Sequence, residues 1–265
     1  MPEGDTIHAL AARLRTALVP GPITAFEARG AAQGPGPEPG DRIEAVTALG
    51  KHLLFRFGGG ATLHTHLGMH GSWRIGPAGQ VPSLPQGPPE RGVVTVVATE
   101  RATAVCRDTR VVEVLDDAGL RRHPWLSTLG PDLCLPDPDL DGIVRRLAAH
   151  VERDTPIGVA LLDQRVAAGI GNVYRSEVLW ACGVDPSAAT GSVDDATRRA
   201  LYDTAGSLLR RNLGGGARRT VPEGLAVYER THRPCRRCRH PIASRRLGDQ
   251  ARTVWWCPGC QTGGR

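Results

Sequence analysis

The sequence predicts a multidomain α+β protein with a leading helix, an antiparallel β-sandwich or barrel, a helical second domain and a small C-terminal β-hairpin unit. Apolar residues recur at helical spacing over residues 3–18, and short β-branched runs cut by Gly and Pro follow to about residue 117. Helical periodicity then returns, before two Cys-x-x-Cys pairs near the end. At 265 residues the chain is long enough for two modest cores and an appendix.

The N-terminal half should hold one helix and several short strands. The helix is expected over 3–18, where a Val-Pro-Gly-Pro stretch ends it. The clearest strand patterns lie at 43–46, 51–57, 62–66, 92–98 and 102–106. Stretches rich in Pro and Gly at 30–40 and 76–89 should be loops. Alternation within the strands favours a sandwich or a barrel.

The C-terminal half should begin with a connector at 120–136. Helices are expected at 139–151, 157–162, 172–182 and 193–211. Glycine-containing breaks at 214–216 and 222–224 then precede a third unit. We therefore expect domains at 1–121, 122–224 and 225–265.

Charge and composition restrict the function classes. The opening MPEGDTIHAL lacks the basic start and apolar core of a signal peptide, and no apolar run approaches about 18 residues. We therefore expect a cytoplasmic protein without a membrane partner, whose cysteines are reduced or metal-bound. The net charge of +6 permits a polyanionic partner, and residues 230–265 hold nine arginines against Asp249 alone. A solvated tail is the alternative interpretation.

The last segment carries a four-cysteine pattern, with two Cys-x-x-Cys pairs separated by 18 residues: Cys235, Cys238, Cys257 and Cys260. Two such pairs at this separation can supply four thiolates to one tetrahedral zinc ion. A unit this small buries little apolar surface, so metal binding would supply its folding free energy. Redox pairs are the alternative. We predict one structural zinc ion, with a hairpin between the two cysteine pairs.

Two features of the N-terminal half suggest amine chemistry. Removal of Met1 would expose the secondary amine of Pro2, which is partly neutral near pH 7.5 and could form an iminium with an aldehyde-like carbon. Glu3 follows it directly, although both residues also suit a helix start. Lys51 is the one lysine among 33 basic residues, in a chain whose composition favours arginine. A compact, deprotonatable ammonium has chemistry that guanidinium lacks.

Four segments together resemble the formamidopyrimidine-DNA glycosylase/endonuclease VIII family. They are the opening Met-Pro-Glu-Gly, Gly-Lys-His-Leu at 50–53, LDQRVAAGIGNVYRSE at 162–177, and Arg252 with WCPGCQ at 256–261. They resemble the family's nucleophile, its lysine hairpin, its helix–two-turn–helix signature and its zinc hairpin, in the family's order. The resemblance spans residues 2–261, nearly the whole chain.

The resemblance implies a bifunctional DNA glycosylase and abasic-site lyase of base excision repair. Pro2 would be the nucleophile, Glu3 a general acid/base, and Lys51 a contact to phosphate and damaged nucleotide. Damaged DNA would be the partner, no nucleotide cofactor would be needed, and the protein would work at the bacterial-type nucleoid. We expect a monomer, because no apolar surface helix or coiled-coil pattern in the sequence indicates self-association. Further DNA contacts would come from Asn172, Arg252, Met69, His70 and Arg110. Of these, Asn172 could also cap its helix, a role compatible with a phosphate contact. Met69 would fill the space left by the extruded base.

Two departures from the family pattern bear on the substrate. The segment between Gly214–Gly216 and Leu225 is short, whereas the guanine-directed branch has a long loop there that covers the purine. Asp5-Thr6 replaces the more widespread Pro-Glu, as in one endonuclease VIII-like subgroup. Both features favour oxidised pyrimidines. Three alternatives stay open: an 8-oxoguanine/formamidopyrimidine-directed glycosylase, a non-catalytic damaged-DNA-binding zinc-finger protein, and a zinc-ribbon module with an unrelated β-domain.

Overall fold

A computed structural model describes residues 2–29, 36–82, 92–109 and 111–262. Two compact units divide the chain, residues 1–128 and 129–265. The second unit includes both the helical segment and the terminal hairpin, and the finer boundaries expected at 121 and 224 stay predictions. Among the described residues, no helix is long and apolar enough to span a membrane.

The described residues of unit 1 form one long α-helix, eight strands, one short α-helix and a 3-10 turn at Leu126–Thr128. In chain order the α-helices and strands are α1 (Gly4–Leu18), β1 (Gly21–Ala28), β2 (Arg42–Leu49), β3 (His52–Phe57), β4 (Thr62–His66), β5 (Ser72–Pro77), β6 (Val93–Thr99), β7 (Ala102–Arg107), β8 (Val111–Leu115) and α2 (Asp117–Arg122). The strands lie in the order β5-β7-β6-β1-β2-β3-β4-β8, and every pair is antiparallel. Because β1 pairs with β2 only at Gly21 and Pro22, the sheet is divided there into two halves.

One apolar core joins the two halves of the sheet. Side chains from β6 and β7 share a cluster with those of β3, β4 and β8, as two facing layers of a sandwich do. The buried stripe of α1 joins the same cluster through Ile7, Leu10, Ala11, Leu14 and Leu18. These five residues are the ones whose spacing predicts the helix, and the predicted sandwich with a leading helix is confirmed.

Unit 2 is helical up to Arg211, and a stretch of turns then leads to its terminal hairpin. Its elements are α3 (Leu140–Arg146), α4 (Ala148–Glu152), α5 (Ile157–Ala160), α6 (Asn172–Cys182), α7 (Asp195–Arg211), β9 (Ala243–Leu247) and β10 (Arg252–Trp256). A second apolar cluster, with Tyr174 and Tyr202 at its centre, lies among the helices. The hairpin and the cysteines share a third small cluster with Trp180 of α6. The strand–turn–strand predicted between the cysteine pairs is confirmed.

Most predicted elements lie where the patterns place them, with two differences. The helix predicted at 139–151 is two helices, because Leu147 both ends α3 and begins α4. The strand predicted at 51–57 begins at His52, since Lys51 lies in the preceding turn. The expected loops at 30–40 and 76–89 fall partly outside the described residues.

Candidate active site and zinc centre

Pro2 and Glu3 lie directly before α1. Glu3 is the N-cap residue, with an extended backbone, and its carbonyl accepts the N–H of Ile7 at 3.1 Å. Its side chain is fully buried, whereas Pro2 is half-buried. Carboxyl groups are rarely buried completely without a partner, and a helix N-terminus favours negative charge. The fold therefore holds the Glu3 carboxyl group in a shielded position next to a partly accessible Pro2.

Lys51 lies in the two-residue turn of the β2–β3 hairpin. Leu49 pairs with His52, which leaves Gly50 and Lys51 as the loop. Gly50 has φ 56°, the left-handed conformation required of the first loop residue in a type II′ hairpin. Burial, and after it the Lys51 ammonium, lowers the pKa of His66 to about 4. Because α1 packs against β2, Glu3 and Lys51 are carried by elements in contact.

The β4–β5 loop carries Met69, the residue predicted to fill the space left by an extruded base. His66 pairs with His52 at the end of β4, so this loop and the Lys51 turn lie at the same end of the sheet. Met69 is 68% exposed, an unusual state for a large apolar side chain, and His70 beside it is also exposed. Arg110 lies outside the described residues.

Asn172 connects α6 with the terminal hairpin. Gly171 is the N-cap and Asn172 the first helical residue, so the prediction that Asn172 also caps the helix is wrong. Its side-chain Nδ2 donates to the carbonyl of Thr253 at 2.9 Å, and its Oδ1 accepts from Arg175. The carboxamide thus holds β10 against the start of α6.

Arg252 lies beside the hairpin turn, and its backbone is held from α6. It pairs with Leu247 across the hairpin and its side chain is exposed. The fully buried Arg175 donates through Nη2 to the carbonyls of Thr253 at 2.7 Å and Arg252 at 3.4 Å. Sequence analysis did not single out Arg175, although it lies inside the helix–two-turn–helix motif.

Glu177, also on α6, anchors the segment after the glycine-containing loop. Its Oε1 accepts the backbone N–H groups of Val227 and Tyr228, both at 2.8 Å, and its Oε2 accepts that of Ala226 at 2.7 Å. The hydroxyl of Thr220 also donates to Oε2. One fully buried carboxylate therefore fixes residues 226–228, which sequence analysis also did not foresee.

Four arginines of the C-terminal segment show two different environments. Arg236 donates to the Leu225 carbonyl at 3.0 Å, and Arg237 stacks over Trp180, so both help to hold the unit together. Arg246 and Arg252 are exposed on the two strands of the hairpin. Exposed arginines such as Arg246 and Arg252 can meet a polyanion.

The four predicted cysteines form one cluster, with all Sγ atoms within 4.8 Å of one another. The Cys235–Cys260 and Cys238–Cys257 Sγ distances are 3.8 and 3.4 Å. Disulfide sulfurs lie about 2.05 Å apart, whereas four thiolates about 2.3 Å from a tetrahedral ion lie roughly 3.8 Å apart. Donor chemistry and spacing therefore fit zinc.

Trp180 of α6 supports this cluster from the helical side. Its indole N–H donates to the Sγ of Cys235 at 3.3 Å. Burial alone would raise the pKa of Cys235, but hydrogen bonds from the backbone of Cys238 and Arg237 and from Trp180 lower it to about 6. The thiolate form that a metal ion needs is thus favoured by the surrounding donors.

Comparison with known proteins places the chain in a family. The formamidopyrimidine-DNA glycosylase N-terminal domain matches residues 1–115, and the formamidopyrimidine-DNA glycosylase H2TH domain matches residues 129–221. The "probable endonuclease 8 2" of Streptomyces coelicolor is 38% identical over 99% of this chain and 95% of its own. The chain belongs to the formamidopyrimidine-DNA glycosylase/endonuclease VIII family. It is accordingly a DNA glycosylase/AP lyase of base excision repair.

Two further relatives support this assignment. The "DNA-(apurinic or apyrimidinic site) lyase Nei2" of Mycolicibacterium smegmatis is 36% identical over 99% of both chains. The formamidopyrimidine-DNA glycosylase of Lactococcus lactis, solved non-covalently bound to DNA that contains an AP site, superposes with a TM-score of 0.82 at 22% identity, covering 98% of this chain and 100% of that one. At that identity the structural match establishes the shared fold.

Proposed function

We propose that this chain removes oxidised bases, chiefly pyrimidines, from DNA through a Schiff base on Pro2, and then nicks the strand. The observation that carries the proposal is the partly accessible Pro2 followed by the fully buried carboxyl group of Glu3. Once Met1 is removed, Pro2 has a secondary amine whose ordinary pKa, about 7.7–8, leaves part of it nucleophilic at neutral pH. Glu3 is close along the chain and shielded from water, as a proton donor should be.

The reaction proceeds by one substitution and two eliminations. The Pro2 nitrogen bonds to C1′ of the damaged nucleotide, the glycosidic bond breaks, and the base leaves with its electron pair and gains a proton. Glu3 protonates the ring oxygen, so the sugar opens to an iminium. Loss of a C2′ proton expels the 3′ phosphate, a second elimination expels the 5′ phosphate, and hydrolysis releases Pro2. Lys51 contacts the phosphate and stabilises the charge that develops there.

The DNA contacts divide between the two units. In unit 2 the N-terminus of α6 at Asn172 and the exposed Arg252 would bind the phosphates that flank the lesion. Because the Asn172 carboxamide holds Thr253, its own phosphate contact would be made by backbone amide. In unit 1, Met69 would enter the space left by the extruded base, with His70 beside it, and Arg110 would be a further DNA contact. Zinc, bound by the four cysteines, would supply the rigidity of the hairpin that presents Arg252.

The preference for pyrimidines rests on the short loop before Leu225. Glu177 holds residues 226–228 against α6, so little chain is available between Gly216 and Leu225 to cover a purine. The 8-oxoguanine- or formamidopyrimidine-directed reaction remains the second candidate. We further propose that the protein acts as a monomer in the bacterial-type nucleoid.

The test is borohydride trapping on duplex DNA that contains dihydrouracil or an abasic site. Protein whose N-terminus is shown by mass spectrometry to begin at Pro2 should give a covalent adduct and a nicked strand. The same chain with an N-terminal tag lacks the free amine and is the matched control. If correctly processed protein gives no adduct and no nick, the proposed reaction is wrong.

A second experiment decides the substrate branch. Single-turnover release of dihydrouracil and thymine glycol should exceed that of 8-oxoguanine opposite cytosine. Faster release of 8-oxoguanine would overturn the pyrimidine preference and leave the Schiff-base reaction intact.

A further inference from the structure

A layer of histidines lies on the face of the sheet that β3, β4 and β8 turn away from the apolar core. His52 faces His66 across β3 and β4, and His64 faces Glu113 across β4 and β8. His123, the C-cap residue of α2, completes the layer. His52, His64 and His123 are all buried, at 7%, 0% and 5% exposure. The sequence analysis did not identify this group, because its members are brought together across three strands.

The layer is one continuous hydrogen-bonded chain centred on Glu113. The Nδ1 of His52 lies 2.8 Å from the Nε2 of His64, and the Nδ1 of His64 lies 2.8 Å from the Oε2 of Glu113. The Nε2 of His123 reaches the same Oε2, also at 2.8 Å. Three rings and one carboxylate thus run from the residue after Lys51 to the segment that follows α2.

Backbone amides fix the proton positions at one end of this chain. The Nδ1 of His123 accepts the N–H groups of Trp125 at 3.2 Å and Leu126 at 3.1 Å. A nitrogen that accepts carries no proton, so the proton of the neutral ring is on Nε2 and is donated to Glu113. The same bonds argue against a metal ion among His64, Glu113 and His123, because a neutral His123 that bound metal through Nε2 would need its proton on Nδ1.

The protons of the other two rings follow from the carboxylate. Ionised Glu113 only accepts, so His64 must donate through Nδ1 and, as a neutral ring, has a lone pair on Nε2. His52 then donates through Nδ1 and keeps the lone pair of its own Nε2. Burial is the main cause that lowers the pKa of His64 and takes that of His52 to about 2, so both rings are neutral near pH 7.

The chain ends at the turn that presents Lys51. His52 is the first residue of β3 and follows Lys51 directly, and its ring is fixed by a bond to a fully buried partner. The Lys51 ammonium is close enough to contribute to the lowered pKa of His52, after burial and the neighbouring histidines. A side chain held this firmly restricts the backbone of a two-residue turn.

We propose that Glu113 and His64 are positioning residues that orient His52, and through it the Lys51 turn, for the reaction. The inference rests on the proposed role of Lys51 at the DNA phosphate. Neither residue need touch DNA. A purely structural role would predict lost stability without a specific loss of rate, and a metal site would predict a second bound ion.

Paired substitutions separate these outcomes. His64→Leu removes both the acceptor for His52 and the donor to Glu113, whereas His64→Gln can supply one acceptor and one donor. His64→Leu should lower the single-turnover nicking rate on abasic-site DNA on the order of 10²-fold at saturating enzyme, and His64→Gln should restore most of it. Glu113→Leu and Glu113→Gln form a second pair with the same expectation, which serves if His64→Leu does not fold.

The matched control is His150→Leu, which removes a comparably buried histidine–carboxylate bond, that of His150 to Asp163 at 3.0 Å in unit 2. It should keep the nicking rate even where its thermal midpoint falls as far as that of His64→Leu. A folded His64→Leu protein with the unaltered rate, or a His64→Gln protein as slow as His64→Leu, would overturn the proposal.

Imidazole ¹⁵N NMR of the unsubstituted protein tests the hydrogen bonds among these histidines without reference to activity. It should show Nδ1–H on His52 and His64, and Nε2–H on His123. The reverse tautomer on His52, or two zinc ions per protein molecule by elemental analysis, would refute the hydrogen-bonded arrangement of His52, His64, Glu113 and His123. If these tautomers are found but Pro2 forms no adduct, the proposed reaction is wrong, whereas the hydrogen-bonded arrangement of the histidines and Glu113 is confirmed.

Discussion

Replacing Glu177 should release residues 220–228, which its carboxylate holds against α6. Its carboxylate accepts three backbone N–H groups at 2.7–2.8 Å. Glu177→Ala would leave these donors without an acceptor at about 1–3 kcal/mol each, hence roughly 3–9 kcal/mol if the segment stayed in place. Local opening costs less than that, so we expect residues 220–228 to detach while the apolar core among the helices stays folded.

Glu177→Gln should have an intermediate effect. Its carbonyl oxygen can keep the amides of Val227 and Tyr228, but its NH₂ group would face the amide of Ala226, at a cost of about 1–3 kcal/mol. Glu229→Gln removes an exposed carboxylate from the same segment and is the control. Amide hydrogen exchange at 226–228 should be fastest in Glu177→Ala, slower in Glu177→Gln and slowest in the Glu229→Gln control. Each 1.4 kcal/mol of lost local stability should speed exchange roughly tenfold.

The kinetic consequence of Glu177→Ala should be selective. The proposed pyrimidine preference assumes that the short segment before Leu225 borders the extruded base. Release of a damaged base should then depend on this segment, whereas nicking at a preformed abasic site should not. We therefore expect slower base release with little change in nicking. Unchanged exchange at 226–228 in Glu177→Ala would show that the carboxylate does not hold the segment, and equal losses in both reactions would refute its assignment to base coverage.

Three further results are expected. Trp180→Phe removes the indole N–H bonded to Cys235 and should speed zinc release to a chromogenic chelator without loss of the helical circular dichroism. When the logarithm of the DNA-binding constant is plotted against the logarithm of salt concentration, Arg252→Ala should make the negative slope shallower by about 0.9, as the loss of one phosphate contact does. An unchanged slope would show that Arg252 makes no phosphate contact. Because burial lowers the pKa of His52 to about 2 and of His66 to about 4, the unfolded chain binds more protons below pH 6.5. The free energy of unfolding should therefore fall as pH drops from 6.5 to 4, and a flat urea-unfolding profile over that range would contradict the burial of both rings.

The fold was predictable where a single element carries its own pattern. The stripe from Ile7 to Leu18 identifies α1, and two cysteine pairs at fixed separation identify the four-cysteine cluster with its hairpin. The division of 139–151 into two helices was not predictable, because Leu147 has ordinary helical backbone angles and only the hydrogen bonds around it show the break. Local sequence contains no signal for that change.

The candidate site was predictable as a set of residues and less so as a set of contacts. The sequence motifs identify Pro2, Glu3 and Lys51, and the roles given to them stay predictions. The hydrogen bonds of Arg175 and Glu177 depend on segments about 50 to 80 residues away, which no local pattern reveals. The histidine layer likewise exists only after strand pairing places His64 beside Glu113.

The most direct test of the central claim is the site of the trapped DNA adduct. After borohydride reduction on abasic-site DNA, tandem mass spectrometry should place the sugar remnant on the nitrogen of Pro2, in protein from which Met1 has been removed. Lys51→Arg protein should still form the Pro2 adduct, although more slowly. A remnant on Lys51, or on any amine other than that of Pro2, would contradict the account.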